Sequence, residues 1–573
     1  MLWISAVSSL FILALIGYDI DADVAVLLKG GVKVTFYFLT SVLFIKILGA
    51  YLTMTRRRWQ PAEMMLFLYL LLIGIFHNVY DRSLIPDLIV DEWVYLGIWG
   101  IFVIELSKKS LSFDQFDFNP TLLFVFSFLF LILLGTSLLM LPRSLVEGRL
   151  NLVDAVFMAT SAVCVTGLSV VDVGSRFTGF GQGVILVLIQ LGALGVMTFT
   201  GFFGYFFSGG FSFKNQLMFT EFLSEKKTAA VTGFLLRIIL MTLLLELAGA
   251  VLIYYSLNPV NFSTGTDRIY FAVFHSISAF CNAGFSTLSY GLYDESVRFN
   301  YVFQMVIAFL IIFGGLGFAV ILNGYDFVKR WTLNFYYKLL FRQSISHKAW
   351  VISFNSRLVF YTTLALIVVG TCSHLVFEYH NSLASHPSPA GKLVTSFFAG
   401  VTPRTAGFNT IDMSSLSQPA IMVTLLLMWI GASPASTGGG IRTTTFAVAI
   451  LNVLSIAKGS SHITVFRREV SADSLRRSYA IIFLSIVFLG LSVILLSVTE
   501  GDAELLPILF ECFSAYSTVG LSLGITPELS QPGRLVLIFS MFIGRVGSLT
   551  FLIALIRNFG IRSYRYPSEQ VSF

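Results

Sequence analysis

Cys164-Val165-Thr166-Gly167-Leu168-Ser169, Cys281-Asn282-Ala283-Gly284-Phe285-Ser286, Arg404-Thr405-Ala406-Gly407-Phe408-Asn409 and Ser517-Thr518-Val519-Gly520-Leu521-Ser522 are four versions of one short loop. Each follows a half-apolar run of about a dozen residues and precedes a long apolar stretch. Their glycines, at 167, 284, 407 and 520, are 117, 123 and 113 residues apart. Related loops at a near-constant interval imply one unit repeated four times. Four such units around an axis suit a single file of ions.

Composition sets the solvent. Hydrophobic residues make up 56% of the chain and charged residues 12%, with a mean hydropathy of +0.83. A bilayer core needs roughly 20 apolar residues per helix. Twelve segments qualify, at about 2–18, 32–54, 62–80, 88–106, 121–141, 182–203, 231–256, 300–322, 354–377, 420–456, 478–498 and 534–556. Shorter runs near 152–164, 269–281, 391–403 and 505–517 cannot span and read as re-entrant helices. Segment 2–18 lacks a basic start and a small-residue cleavage site, which favours a retained helix over a leader.

Charge sets the orientation. Arg56-Arg57-Arg58, Lys108-Lys109, Lys226-Lys227, the 323–353 and 457–477 loops, and Arg557, Arg562 and Arg565 fall on one side. Asp19, Asp81, Asp87, Glu378 and Glu500 fall on the other. The positive-inside rule then predicts both termini in the cytoplasm. The net charge of +6 is a topological signal and not a sign of nucleic-acid binding. No paired catalytic carboxylates, nucleophile motif or metal-ligand spacing supports an enzyme, and the four scattered cysteines read as small buried residues without a disulfide.

Each repeat reads as helix, short helix, extended loop, helix. Non-helical backbone at membrane depth is tolerated where it is buried in protein or lines a wet cavity. Backbone carbonyls can replace an ion's water shell, and aligning them needs a residue of positive φ, which Gly adopts without steric cost. The short helices aim their negative C-terminal ends at the centre, which favours a cation. The competing reading, glycines for close helix packing, explains one loop but not four in register. The predicted filter is Val165-Thr166-Gly167, Asn282-Ala283-Gly284, Thr405-Ala406-Gly407 and Thr518-Val519-Gly520.

The third repeat is unlike the others. Ile421–Ala432 and Phe446–Ala457 are apolar, and Ser433-Pro434-Ala435-Ser436-Thr437-Gly438-Gly439-Gly440 lies between them. Each 12-residue half reaches about 18 Å, too short for a roughly 30 Å core. A Pro and three glycines cannot hold a continuous helix, and broken helices at mid-membrane mark transport or gating sites. Among the second helices only this one reads as broken. Two charges fall inside helices: Glu246, read as a hydrogen-bonded packing residue, and Arg545. Arg404 reads as support for the third loop, while Asp154, Asn282 and Glu511 fit either cation attraction or a structural role.

The motifs TSAVCVTGLSVVDVG (160–174), SAFCNAGFS (278–286), FGGLGF (313–318), TPRTAGFNT (402–410), GASPASTGGGIRTTT (431–445), STVGLS (517–522) and GRVGSLT (544–550) resemble the Trk/Ktr/HKT superfamily of potassium transporters, most nearly its bacterial TrkH/KtrB subunits. The resemblance covers about 119–567. It implies an all-α membrane protein with four pseudo-symmetric membrane-pore-membrane repeats around a central cation pore, preceded by about four extra N-terminal helices. The units are 1–110 (N-terminal helices), 119–204, 228–323, 354–457 and 476–557 (repeats), and 558–573 (tail).

The resemblance also implies potassium uptake across the bacterial inner membrane through a selective, gated pore driven by membrane potential. A symporter coupling K+ to Na+ or H+ is the alternative. K+ is the transported ion, with no covalently bound cofactor. Its implied ligands are the carbonyls of Thr166, Gly167, Asn282, Gly284, Thr405, Gly407, Thr518 and Gly520. Relatives selective for Na+ often carry Ser at the first filter glycine, whereas this chain has Gly167. Gly438, Gly439 and Gly440 become the flexible part of a gate. Arg545 becomes either an electrostatic barrier below the filter or a structural group bound to a carboxylate or to the 433–440 backbone. Homodimerisation and a cytoplasmic ring of nucleotide-binding regulatory subunits, TrkA/KtrA-like, complete the expectation.

Overall fold

The computed structural model describes residues 1–18, 20–52, 61–79, 91–110, 120–195, 231–262, 264–341, 352–460 and 462–556. Much of the orientation signal lies outside them: Asp19, Arg56–Arg58, Asp81, Asp87, Lys226-Lys227, Arg557, Arg562, Arg565 and the 558–573 tail.

Four helices come first: α1 (Leu2–Gly17), α2 (Ala22–Leu52), α3 (Pro61–Val79) and α4 (Asp91–Ser110). They share a small core of their own around Ile12, Phe36, Leu39, Leu70 and Ile98. A polar seam joins them, in which Lys46 reaches Glu63 (3.0 Å) and Glu105 (3.2 Å), and Lys29 reaches Asp91 (3.1 Å). Gly17 at the end of α1 packs on Leu141, where an added Cβ would lie 2.8 Å from a Leu141 methyl.

Four similar units follow. Unit one is α5 (Pro120–Leu139), α6 (Leu152–Val163) and α7 (Gly179–Leu194). Unit two is α8 (Val231–Ser256), α9 (Gly265–Phe280), α10 (Tyr301–Leu316) and α11 (Phe318–Phe341). Unit three is α12 (Phe354–Glu378), α13 (Pro389–Val401), α14 (Gln418–Trp429) and α15 (Thr443–Ala457). Unit four is α16 (Ala472–Thr499), α17 (Leu505–Tyr516), α18 (Gln531–Val546) and α19 (Ser548–Leu555). A two-residue antiparallel pairing of Thr464–Val465 with Arg468–Glu469 links units three and four. Among the described residues four helices are long and apolar enough to cross a membrane, and two bent pairs qualify if each is one span.

Apolar burial gives little drive between helices in lipid, so close packing has to hold them together. At Gly370 of α12 and Gly400 of α13 an added Cβ would sit 2.9 Å from the opposing Cα or peptide carbon, so the two backbones touch. At one end of units three and four, a carboxylate from the first helix caps the return helix. Glu378 accepts from Ser417 N (2.9 Å) and Oγ (2.6 Å), and Glu500 accepts from Ser530 N (3.0 Å) and Oγ. Each carboxylate thus meets the positive end of a helix dipole.

The return helices depart from expectation. The break in unit three is present, between Trp429 and Thr443, but it is not the only one. α10 and α11 meet at 104°, and α18 and α19 at 93°. The turning residues are Gly317 (φ 86) and Gly547 (φ 90), while α7 ends at Gly195 (φ 76). The 182–203 segment is therefore helical only to Leu194 within the described residues. An apolar helical pattern hides a single Gly, since glycine is common in membrane helices.

Candidate cation pore

The four loops form a closed ring. A Cβ built on Gly167 would lie 3.2 Å from Gly284 Cα. The same construction puts Gly284 3.1 Å from Gly407, Gly407 3.1 Å from Gly520, and Gly520 3.0 Å from Gly167. Each added Cβ would first meet a carbonyl oxygen of the next loop: Ala283, Ala406, Val519 and Thr166 in turn. A side chain there would force the neighbouring loop to shift, and all four glycines have positive φ, at 94, 71, 76 and 92°.

A second positive-φ residue sits two positions earlier in every loop: Val165 (57°), Asn282 (59°), Thr405 (70°) and Thr518 (51°). These are not glycines, and such conformations are uncommon for β-branched residues, so the fold imposes them. The register they define places Thr166 level with Ala283, Ala406 and Val519. The carbonyls facing neighbouring glycines are those four. Asn282, Thr405 and Thr518, three of the implied ligands, lie level with Val165.

Hydroxyls at the ends of the short helices hold the loops. Ser161 accepts from Gly167 N (3.1 Å), Ser514 from Gly520 N (3.0 Å), and Ser278 donates to Phe285 O (2.8 Å). In unit three the duty moves one residue on, and Thr402 donates to Phe408 O (2.6 Å). The backbone follows suit, with Thr166 N, Ala283 N and Val519 N each 2.8 Å from the carbonyl of Ser161, Ser278 and Ser514. Sequence reasoning missed these serines, although the signal was present as Ser-Ala six residues before the glycine in three of the four units.

Behind the loops the return helices approach the ends of the short helices at glycines. Any Cβ on Gly192, Gly314 or Gly544 would collide with the carbonyl oxygen of Val163, Phe280 or Tyr516. Three residues further on α7 ends at Gly195, and units two and four bend at Gly317 and Gly547. Unit three carries Gly431-Ala432-Ser433-Pro434 in that place, and there the chain leaves the helix as a loop.

That loop lies against loops three and four. Its ends pair through Ile430 and Ile441, and Phe318 N donates to Ala435 O (3.0 Å) at the bend of unit two. A Cβ at Gly438 would strike Thr405 Oγ1, one at Gly439 would strike Thr518 Oγ1, and one at Gly440 would lie 3.3 Å from Ser517 Cα. Arg545 is buried and donates to Thr437 O in the loop and to Gly192 O at the end of α7, with Ala193 O at 3.4 Å. Of the structural partners expected for Arg545, it is the 433–440 backbone that it meets among the described residues. Arg442, which the sequence did not single out, donates to Gly438 O and lies 3.4 Å from Ser433 O.

The remaining charges have structural partners. Asp154 pairs with Arg534 of α18. Glu246 accepts from Gln190 (3.1 Å), with Cys281 Sγ at 3.7 Å, as a packing residue requires. The Asn282 amide meets the Thr405 hydroxyl across units (3.2 Å). Arg404 is buried, and its guanidinium reaches Thr363 of α12 (3.5 Å). Cys164, Cys281 and Cys512 are buried and Cys372 is exposed. Among the described residues no three His, Cys, Asp or Glu side chains gather as a metal site.

An all-helical chain with four such loops meeting in a ring defines a multi-pass membrane protein of the pore-loop class. The chain belongs to the TrkH family, described as cation transport proteins, whose pattern matches residues 87–559. It is therefore a member of a transport family and not of an enzyme family. It is 36% identical to Ktr system potassium uptake protein B of Bacillus subtilis, over 79% of this chain and 96% of that protein. It is 35% identical to the protein of that name from Vibrio alginolyticus, over 82% and 98%. It is 32% identical to the potassium/sodium uptake protein NtpJ of Enterococcus hirae, over 79% and 97%. The crystal structure of the potassium transporter TrkH from Vibrio parahaemolyticus shares the fold, with a TM-score of 0.58 and 16% identity over 92% of this chain and 98% of that one. A match over 92% must take in part of residues 1–110, so some N-terminal helices have counterparts in that fold.

Proposed function

We propose that this chain takes up K+ through a selective, gated pore in the bacterial inner membrane, with both termini cytoplasmic and the membrane potential as driving force. The closed ring of Gly167, Gly284, Gly407 and Gly520, in which each glycine lies against a carbonyl oxygen of the next loop, supports the reading. Carbonyl rings of this kind select a dehydrated cation, and the relatives named for potassium uptake support K+ as that cation. Ring carbonyls of Thr166, Ala283, Ala406 and Val519 join Gly167, Gly284, Gly407 and Gly520 as the ligands. The 430–442 loop is the gate, with Gly438 and Gly439 seated against Thr405 and Thr518, and with Arg545 and Arg442 holding its carbonyls.

The breaks in the return helices bear on the rival symporter. They occur at matching places in units two, three and four, whereas alternating-access carriers commonly pair broken helices across inverted halves. Single-channel recording separates the two, since a carrier moving an ion or two per cycle gives no resolvable unitary current. The "Ktr system" relatives are named as parts of a system, which supports a transporter working with a regulatory subunit; a homodimer docked on a cytoplasmic nucleotide-binding ring is the form we propose for that assembly. In proteoliposomes, Gly167→Ser should lower the K+/Na+ flux ratio by at least about tenfold. An unchanged ratio in a folded variant rejects the filter.

A further inference from the structure

The short helices differ at one buried position, nine residues before the ring glycine. It is Met158 in unit one, His275 in unit two, Phe398 in unit three and Glu511 in unit four, and all four are buried. In units two and four the polar side chain reaches the serine two residues beyond the ring glycine. His275 Nδ1 donates to Phe271 O (2.9 Å), which leaves Nε2 to accept from Ser286 Oγ at 2.9 Å. Glu511 Oε1 accepts from Ser522 Oγ, with Thr526 Oγ1 at 2.9 Å.

Each serine is gripped a second time in the same way. Ser286 Oγ accepts from Leu288 N (3.0 Å), and Ser522 Oγ accepts from Gly524 N (2.9 Å). Two unrelated side chains, an imidazole and a carboxyl, thus build one network at equivalent places. Units two and four are not neighbours in the ring, whose order is 167, 284, 407, 520, so the clamps lie across the axis from each other. Met158 and Phe398, on the other diagonal, have no comparable acceptor. Glu511 has no exposed surface, so it does not itself touch an ion, and its Oε2 has no hydrogen-bond partner.

We propose that His275 and Glu511 are positioning residues that fix the width of the ring on one diagonal by holding Ser286 and Ser522, and so set ion selectivity. The inference rests on reading the ring as a filter. A strand tethered on both flanks of the glycine cannot widen to follow a differently sized ion. Units one and three keep the Ser161 and Thr402 bonds, which match those of Ser278 and Ser514, but have apolar packing at the clamp position.

The test is competitive Rb+ and Na+ flux into proteoliposomes loaded with purified full-length protein. His275→Leu and Glu511→Leu should each lower the Rb+/Na+ ratio by about fivefold, the scale of one lost hydrogen bond. Glu511→Gln, which keeps an acceptor oxygen, should restore the ratio, and Met158→Leu and Phe398→Leu should leave it unchanged. If the leucine variants do not fold, Ser286→Ala and Ser522→Ala report on the same bonds with a smaller change in volume. Gly167→Ser runs beside them. A fallen ratio for Gly167→Ser with unchanged ratios for the clamp variants overturns the clamp alone. An unchanged ratio for Gly167→Ser overturns the filter reading and the clamp with it. A fall with Glu511→Gln equal to that with Glu511→Leu removes hydrogen bonding as the cause.

Discussion

Arg545, at the end of α18, donates a guanidinium hydrogen bond to the carbonyl oxygen of Thr437 in the 430–442 loop. The other arm of the same guanidinium holds Gly192 O, at the C-terminal end of α7. One side chain from unit four therefore ties the loop of unit three to unit one. Charge-assisted bonds of this kind contribute about 2 kcal/mol each, or about 30-fold in a loop equilibrium. Arg545→Ala should raise K+ flux by up to that factor, because it frees the loop and removes the buried positive charge beside it. Arg545→Lys keeps the charge but cannot reproduce two bonds from a planar fork. Raised flux in the Lys variant identifies a latch, and wild-type flux identifies a barrier.

The loop glycines make a sharper test of seating. A Cβ at Gly438 collides with the Thr405 hydroxyl, so Gly438→Ala should displace the loop and increase flux. Removing the obstacle should reverse this. Contacting sites couple by about 0.5–3 kcal/mol, so Gly438→Ala with Thr405→Ala should lie closer to wild type than the sum of the single variants. Additive effects on flux would place the loop away from Thr405.

Asp154 and Arg534 join α6 to α18 with side chains only 16% and 17% exposed. Arg534 also donates to Pro527 O (3.0 Å). Breaking a mostly buried pair leaves an uncompensated charge, which costs about 3 kcal/mol. Asp154→Asn should lower the melting temperature in detergent clearly, while the K+/Na+ ratio stays near wild type. A shifted ratio without loss of stability would return Asp154 to the role of attracting cations.

The ring and the loop were legible in the sequence to different depths. Four Gly-centred motifs and the run Pro434 to Gly440 announce themselves by residue type, since only Gly meets the backbone demand and Pro breaks a helix. The positive φ at Val165, Thr405 and Thr518 was hidden, because β-branched residues do not advertise that conformation and tertiary packing enforces it. The bends at Gly317 and Gly547 were hidden inside apolar runs that hydropathy reads as straight. Arg442 escaped notice beside three glycines, and its role appears only when the loop folds back onto it. Which carbonyl faces the neighbouring glycine was hidden for a related reason. The sequence shows the glycine but not which carbonyl turns towards its neighbour.

One titratable group outside the spans gives a prediction about pH. His386, in the connection after α12, lies 3.2 Å from Tyr301 Oη. Its pKa is lowered from the ordinary 6.5 by burial, and further by the nearby cations Arg298 and Lys392. The folded chain therefore binds this proton less readily than the unfolded chain. Stability from neutral His386 is present above the unfolded value and is lost as pH falls through it towards the lowered folded value. The window opens near pH 6.5 and extends below it. Wild-type protein should lose thermal stability between pH 7 and 5 by more than His386→Phe does, since the variant has no proton to take up there. Parallel pH profiles for the two proteins would show that His386 is solvated and that its contacts with Tyr301 and the cations carry no linkage.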